Sequence, residues 1–266
     1  MWYTASMNKT CLLIAVVLSG LNCSENNQQD VFRIGIGNLN YRNDDSFELS
    51  KAIINENCDV FFCFEWTSKN LDKKYLKNKG YKFLLNVPKK GTHGICILSR
   101  KRFKGKAIIH KAPIKGPCAI PYGMVRMKLN DNYITMLGVH LPPPVRSCKN
   151  TTDTSIFEFS KYVKDGVFSD DIGIARKNDI AILAGDFNAL PNNKAMHSIK
   201  NAGLIDSYKK MNVFPGPTWS PVAWIPAFLR IDYIFTSRKL ELVTSKRFKL
   251  PESDHSGLVT EINLNK

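Results

Sequence analysis

Six stretches of apolar, strand-like sequence end in, or are preceded by, a polar residue drawn only from Asn, Asp, Glu and His. They are Asn38, Glu65, His140, Asp186 with Asn188, Asp232, and Asp254 with His255. A buried strand delivers a side chain rigidly to a sheet edge. One acidic strand end is ordinarily a solvated cap; six ends of one chemical kind point instead to a shared site. Asp186 and Asn188 are two residues apart, so both can face the same side. A carboxylate behind an imidazole fixes its tautomer and raises its pKa, so carboxylates meeting His140 or His255 would do proton-transfer chemistry. The seven cysteines show no CxxC and no Cys/His zinc spacing.

The elements that must position these residues are legible in the periodicity. Strands are expected over residues 31–38, 59–64, 81–86, 95–99, 107–111, 122–128, 133–140, 180–184, 231–235, 240–245 and 258–264. Helices are expected over 45–57, opened by Asp44 or Asp45, and over 71–78, 154–168 and 194–202, the last ended by Gly203. Strands dominate, which predicts an α/β sandwich of sheets covered by helices. No repeat or Gly/Ser linker follows residue 30, so residues 30–266 read as one domain. Residues 1–29 read as a signal peptide plus a short linker. Lys9 is a weak basic start, residues 11–18 are an apolar stretch, and small and polar residues follow. A lipid anchor on Cys23 and a retained membrane helix are the other readings. Export would allow a Cys118–Cys148 disulfide, since both flank a predicted hairpin. Cys63 and Cys96 fall inside apolar strands and are expected to be buried.

The sequence resembles the endonuclease/exonuclease/phosphatase superfamily. The resemblance rests on Asn38-Leu39, Phe64-Glu65, Gly138-Val139-His140-Leu141, Gly185-Asp186-Phe187-Asn188, Ile231-Asp232-Tyr233-Ile234-Phe235 and Ser253-Asp254-His255, in that order. That group includes secreted deoxyribonucleases, abasic-site endonucleases, toxin nuclease subunits, sphingomyelinases and inositol polyphosphate phosphatases. Similarity implies a four-layer α/β/β/α sandwich of two packed mixed sheets flanked by helices, with the site at one edge. It implies phosphoester hydrolysis with Mg²⁺, or with Mn²⁺ or Ca²⁺ in its place. A hard cation takes oxygen ligands and keeps waters, so Glu65 is the expected ligand, with Asn38 and Asp254 in support. The catalytic set is then His140, Asp186, Asn188, Asp232 and His255. Asp186 would position or deprotonate the attacking water, and Asn188 and His140 would meet phosphoryl oxygens. His255, oriented by Asp232, would contact the scissile phosphate. Deoxyribonuclease-like members carry an acid before the strand at 95–99 that supports the histidine matching His140; here the nearest residue is His93, which when protonated cannot do that job and is expected instead in the loop or in contact with phosphate. The resemblance implies a substrate-facing Trp in the loop before residue 231, so Trp219 is the expected contact; the aromatics of this loop, residues 224–228 included, could stack on a base, touch a lipid interface or pack as a shield. Arg230 is expected to contact phosphate, with a surface ion pair as the other reading.

Composition adds the partner. The 266 residues are 44% hydrophobic and 23% charged, which excludes a disordered or collagen-like chain, and the formal net charge is +15. Residues 73–130 carry 16 of the 38 Lys and Arg and no Asp or Glu, leaving 22 basic against 23 acidic residues elsewhere. One continuous segment holds the whole excess. A localised basic face suits a long polyanion, and Lys101, Arg102, Lys104 and Lys106 are the expected contacts. The leading expectation is an exported, monomeric, metal-dependent endonuclease on DNA or RNA. The rivals are a phospholipid or phosphoinositide phosphoesterase meeting an anionic membrane surface, and a binding or toxin subunit without turnover.

Overall fold

The computed structural model describes residues 31–100, 105–115, 118–129, 132–144, 148, 150–165, 180–222 and 224–263. The predicted signal segment, Cys11, Cys23, Lys101, Arg102 and Lys104 lie outside the described residues.

Two strand–helix–strand crossovers build the frame. In the first, β1 (Val31–Asn38) leads through α1 (Ser46–Asn55) to β2 (Val60–Phe64), which lies parallel to β1 with Asn38 opposite Phe64. Asp45 opens α1, its carboxylate accepting from the Glu48 amide at 3.2 Å. In the second, β7 (Asn132–His140) leads through α3 (Thr151–Asp165) to β8 (Ile180–Asp186), again parallel, with His140 opposite Asp186. A parallel pair needs such a long connection, and it makes both strands end on the same side. The chemistry-bearing strand ends are therefore brought together by topology.

Hairpins widen each pair. β3 (Tyr81–Val87) and β4 (Ile95–Arg100) extend the first sheet on one side; β11 (Glu241–Lys249) and β12 (Ser256–Asn263) extend it on the other, giving the order β11-β12-β1-β2-β4-β3. β5 (Gly105–His110), β6 (Tyr122–Leu129), β9 (Leu204–Asp206) and β10 (Asp232–Ser237) complete the second, ordered β5-β6-β7-β8-β10-β9. The inner faces share one core, with Ile34, Ile36, Phe62 and Ile97 from the first sheet against Val125, Met136, Ile182 and Ile234 from the second. Gly138 leaves room for Phe62 of the facing sheet: a Cβ there would lie 2.1 Å from its ring. The outer face of the first sheet is covered by α1 and α2 (Lys73–Asn78), burying Leu49, Ile53 and Leu76. α3 and α4 (Met196–Asn201) cover the second with Ile156, Phe159 and Ile199. This is the four-layer sandwich expected from the sequence.

Two elements were not anticipated: β9 and α5 (Ser207–Met211). At three and five residues they are shorter than the windows over which strand alternation and helical periodicity are read. Cys118 and Cys148 form the disulfide anticipated for an exported chain, and Cys58, Cys63 and Cys96 are buried thiols.

Within the described residues, the basic segment's β3 and β5 are the matching edge strands of the two sheets. Lys106 lies away from the catalytic end. It pairs with Arg126, and Arg126 pairs with Thr135, five residues before His140 on β7. At about 3.3 Å per residue, Lys106 lies roughly 17 Å back from the catalytic end. Arg100 and Gly105, which flank the undescribed Lys101, Arg102 and Lys104, also lie at that far end.

Candidate active site

Both sheets deliver side chains to one edge. Asn38 ends β1 and donates from Nδ2 to Asp186 Oδ2 across the sandwich at 3.1 Å. Asp186 ends β8 and faces Asp232, the first residue of β10, across an antiparallel pair. Asp232 Oδ2 accepts from His255 Nδ1 at 2.9 Å, and His255 Nε2 lies 3.8 Å from Asp186 Oδ2. His140 Nε2 stands 3.5 Å from Asp186 and 3.9 Å from Glu65. A carbonyl only accepts, so the contact of His140 Nδ1 with the Thr92 carbonyl at 3.1 Å puts the proton on Nδ1 and leaves Nε2 facing the carboxylates. The backbone of Thr92 thus holds the ring where the deoxyribonuclease-like pattern has an acid. His93 is exposed beside it, its pKa lowered by partial burial and by the charge of His140.

The loop positions are built with strain. Glu65 and Asn188 adopt positive φ, at 54° and 48°. For Glu65 that conformation costs about 1–2 kcal/mol, offset by a dense frame. Asn70 Nδ2 donates to its carbonyl at 3.1 Å, and Tyr41 N–H donates to its carboxylate at 3.0 Å. Asn188, a residue tolerant of this region, donates to the Leu141 carbonyl, while its N–H donates to Asp186 Oδ1 at 2.9 Å. Thr218 Oγ1 accepts from both Ile231 N and Asp232 N, and Ser253 Oγ receives His255 N–H while donating to the Asn38 carbonyl. Sequence reasoning missed Thr92, Asn70 and Thr218: single loop residues acting through one polar atom carry no periodic signal. Ser253 was visible only as a flank of Asp254-His255.

Burial sets the charges. Asp186 is pushed up to about 6, first by burial and then by the Asp232 carboxylate, against the pull of His255 and His140. Burial alone would lower His255, but the carboxylates of Asp232 and Asp186 outweigh it and raise the imidazole to about 10. At neutral pH the site therefore holds an imidazolium beside a carboxylate poised to take a proton.

Asp186, Asp232 and His255 lie within 4.8 Å of one another, close enough to be a ligand set. His255 Nδ1, however, is committed to Asp232, and its raised pKa favours the imidazolium, which has no lone pair for a metal. The better fit for a hard cation is the adjacent cleft of about 380 Å³, which Glu65 and Asp254 line together. Trp219 Nε1 donates to Asp254 Oδ2 at 3.1 Å. Trp219 therefore orients that carboxylate and is half-buried. These oxygen donors suit Mg²⁺, which needs only one or two carboxylates; Asn38 lies behind them.

Arg230 is corrected. It is 5% exposed, its guanidinium is 2.5 Å from Asp206, and it packs over the rings of Tyr208 and Tyr233. A buried, paired guanidinium of this kind stabilises the fold and does not meet phosphate.

Residues 35–255 match the Endonuclease/Exonuclease/phosphatase family, and the chain belongs to it. Its members hydrolyse phosphoester bonds and depend on divalent metal. No curated protein sequence matches the chain. Among solved structures, humanized D. rerio TDP2 shares 19% identity at TM-score 0.67, covering 88% of this chain and 99% of that one. The 3′ phosphatase NExo from Neisseria, bound to product DNA hairpin, shares 13% at 0.66, covering 87% and 99%. Bacteroides thetaiotaomicron mannosyl-6-phosphatase shares 18% at 0.60, covering 87% and 99%. At these identities the likeness establishes the fold.

Proposed function

We propose that this chain is an exported, monomeric, divalent-metal-dependent endonuclease that hydrolyses phosphodiester bonds in DNA or RNA. The observation that carries the reading is the convergence of Asp186, Asn188, His140 and the Asp232–His255 pair beside the Glu65–Asp254 cleft. Two features support a nucleic-acid substrate: residues 73–130 carry the whole excess of positive charge, and Lys89 and Lys90 share an exposed loop with Thr92 and His93. The DNA-bound NExo and the ssDNA product complex of D. rerio TDP2 point the same way. The Cys118–Cys148 disulfide supports export, since such bonds persist in oxidising compartments.

In this mechanism Asp186 orients the attacking water and takes its proton. His255, held by Asp232, presents a fixed positive charge to the phosphoryl oxygens, and the Asn188 side chain lies within reach of the same group. His140 Nε2 meets the leaving oxygen, its ring fixed by Thr92. A divalent ion on Glu65 and Asp254 would polarise the phosphoryl oxygen and stabilise the leaving group. Fixed charge aimed at developing charge is the largest lever available to such a site.

The test is nicking of supercoiled plasmid with Mg²⁺, with and without EDTA, for the wild type, Asp186→Ala and His255→Ala. Nicking lost in EDTA and in both variants supports the reading; nicking by either variant at the wild-type rate overturns it. A second reading, phospholipid hydrolysis, is favoured by the exposed side chains of Val213, Phe214, Trp224 and Phe228. Release of headgroup from anionic vesicles without plasmid nicking would support it.

A further inference from the structure

The cleft that holds Glu65 and Asp254 has a second half that the chemistry does not use. Its remaining lining is Asn40, Tyr41, Arg42, Pro221, Val222 and Trp224. Trp224 is 83% exposed, and nothing in the core explains a large aromatic at that position. Arg42 packs over the Tyr41 ring at 5.2 Å, and its Nε donates to the Tyr41 hydroxyl at 2.9 Å. The Tyr41 amide in turn donates to the Glu65 carboxylate, so this half is fixed to the reacting half. A flat apolar wall, an aromatic face and an exposed guanidinium are thus held within one cleft of the expected metal carboxylates.

The two flanks of the reacting edge differ in kind. Beside His140 stands the lysine loop, with Lys89, Lys90 and His93 exposed. Beside Glu65 and Asp254 stands the aromatic cleft, on the side of β1 and β12. The first suits a phosphate chain; the second suits a planar ring joined to a phosphate. At about 380 Å³ the cleft lies at the small end of ligand pockets, enough for one unit of a chain and not for a duplex end.

We propose that the cleft bounded by Tyr41, Arg42, Pro221 and Trp224 is a nucleobase subsite, which takes one unpaired base next to the scissile phosphate and so favours single-stranded or frayed substrate. This rests on the phosphodiesterase reading above. The base stacks on Trp224, and Arg42 meets its phosphate or ring edge. Stacking requires a free base face, which a paired duplex does not offer at this depth.

The experiment removes the stack from each side in turn. Wild type, Trp224→Ala and Trp224→Phe are compared on a single-stranded oligonucleotide, on the same oligonucleotide with an abasic position next to the cut site, and on the duplex. Trp224 is exposed, so its replacement leaves folding intact, checked by thermal melting. Trp224→Ala should raise KM for the single strand by about 5- to 150-fold, the range expected for one base–aromatic stack. Trp224→Phe should restore most of it. The abasic substrate should be poorer for the wild type and no poorer still for Trp224→Ala. Equal losses on the intact and abasic strands would overturn the subsite. So would an unchanged KM, or a loss confined to binding of phosphatidylserine vesicles. Failure of the wild type to cut any oligonucleotide would overturn the phosphodiesterase reading itself, a separate outcome.

Discussion

Asp232→Asn tests the electrostatic core of the site. In the wild type, His255 Nδ1 and Asp232 Oδ2 are 2.9 Å apart and both side chains are buried. Breaking a buried pair costs about 3–5 kcal/mol. That figure is a loss of stability; a positioned acid–base side chain contributes about 10²- to 10⁴-fold to rate, so kcat should fall by about that factor when Asp232 no longer holds the imidazolium. The pH profile should move as well. Burial lowers the His255 pKa, and the Asp232 carboxylate is the first of the groups that raise it to about 10. Without that carboxylate, the alkaline limb of the rate profile should shift towards acid. The stability consequence has a defined sign. His255 has a raised folded pKa, so its contribution is fully present below its unfolded value of 6.5 and is lost as pH rises through about 10. Urea unfolding in EDTA should therefore show the wild type losing stability between those limits, with the loss blunted in Asp232→Asn. An Asn variant with a wild-type rate at pH 7 and an unmoved alkaline limb would refute the argument.

Three further outcomes follow from the same geometry. Glu65→Gln and Asp254→Asn should each weaken Mn²⁺ binding about tenfold or more by titration calorimetry, with folding unchanged, because each removes a charged oxygen from the cleft. Arg230→Met should lower stability by about 3–5 kcal/mol in urea, since it leaves Asp206 buried and unpaired, while KM for oligonucleotide stays within about twofold. Reduction of Cys118–Cys148, which closes a 30-residue separation, should cost about 3–4 kcal/mol, read as a lower Tm in dithiothreitol.

Much of the site was legible because strand ends are legible. Asn38, His140, Asp186 and Asp232 terminate or begin strands whose apolar runs are visible in one dimension, and β7 and β8 deliver two of them side by side. The loops were not. Arg230 adjoins Asp232 in sequence and so reads as a site residue, yet the unanticipated β9 and α5 place Asp206 and Tyr208 against it and draw it inside. The acid expected to support His140 is missing from the sequence, and the Thr92 carbonyl makes the contact instead. In both cases a contact from a loop or from elements too short to read in the sequence decided the role.

The amino-acid sequence by itself determined the order of strands and helices, the polar strand ends and the concentration of positive charge in residues 73–130. Periodicity and composition are local properties, and the chain carries them without folding. The tertiary structure alone decided which end of the sandwich each charge occupies. Lys89 and Lys90 fall beside the site, while Lys106 falls at the far end, because β5 runs antiparallel to β6 and its first residues pair well before His140 is reached. It also decided that Tyr41, Arg42 and Trp224, some 180 residues apart in sequence, line the same cleft. Register and chain reversal fix such distances, and neither is written in any short stretch of sequence.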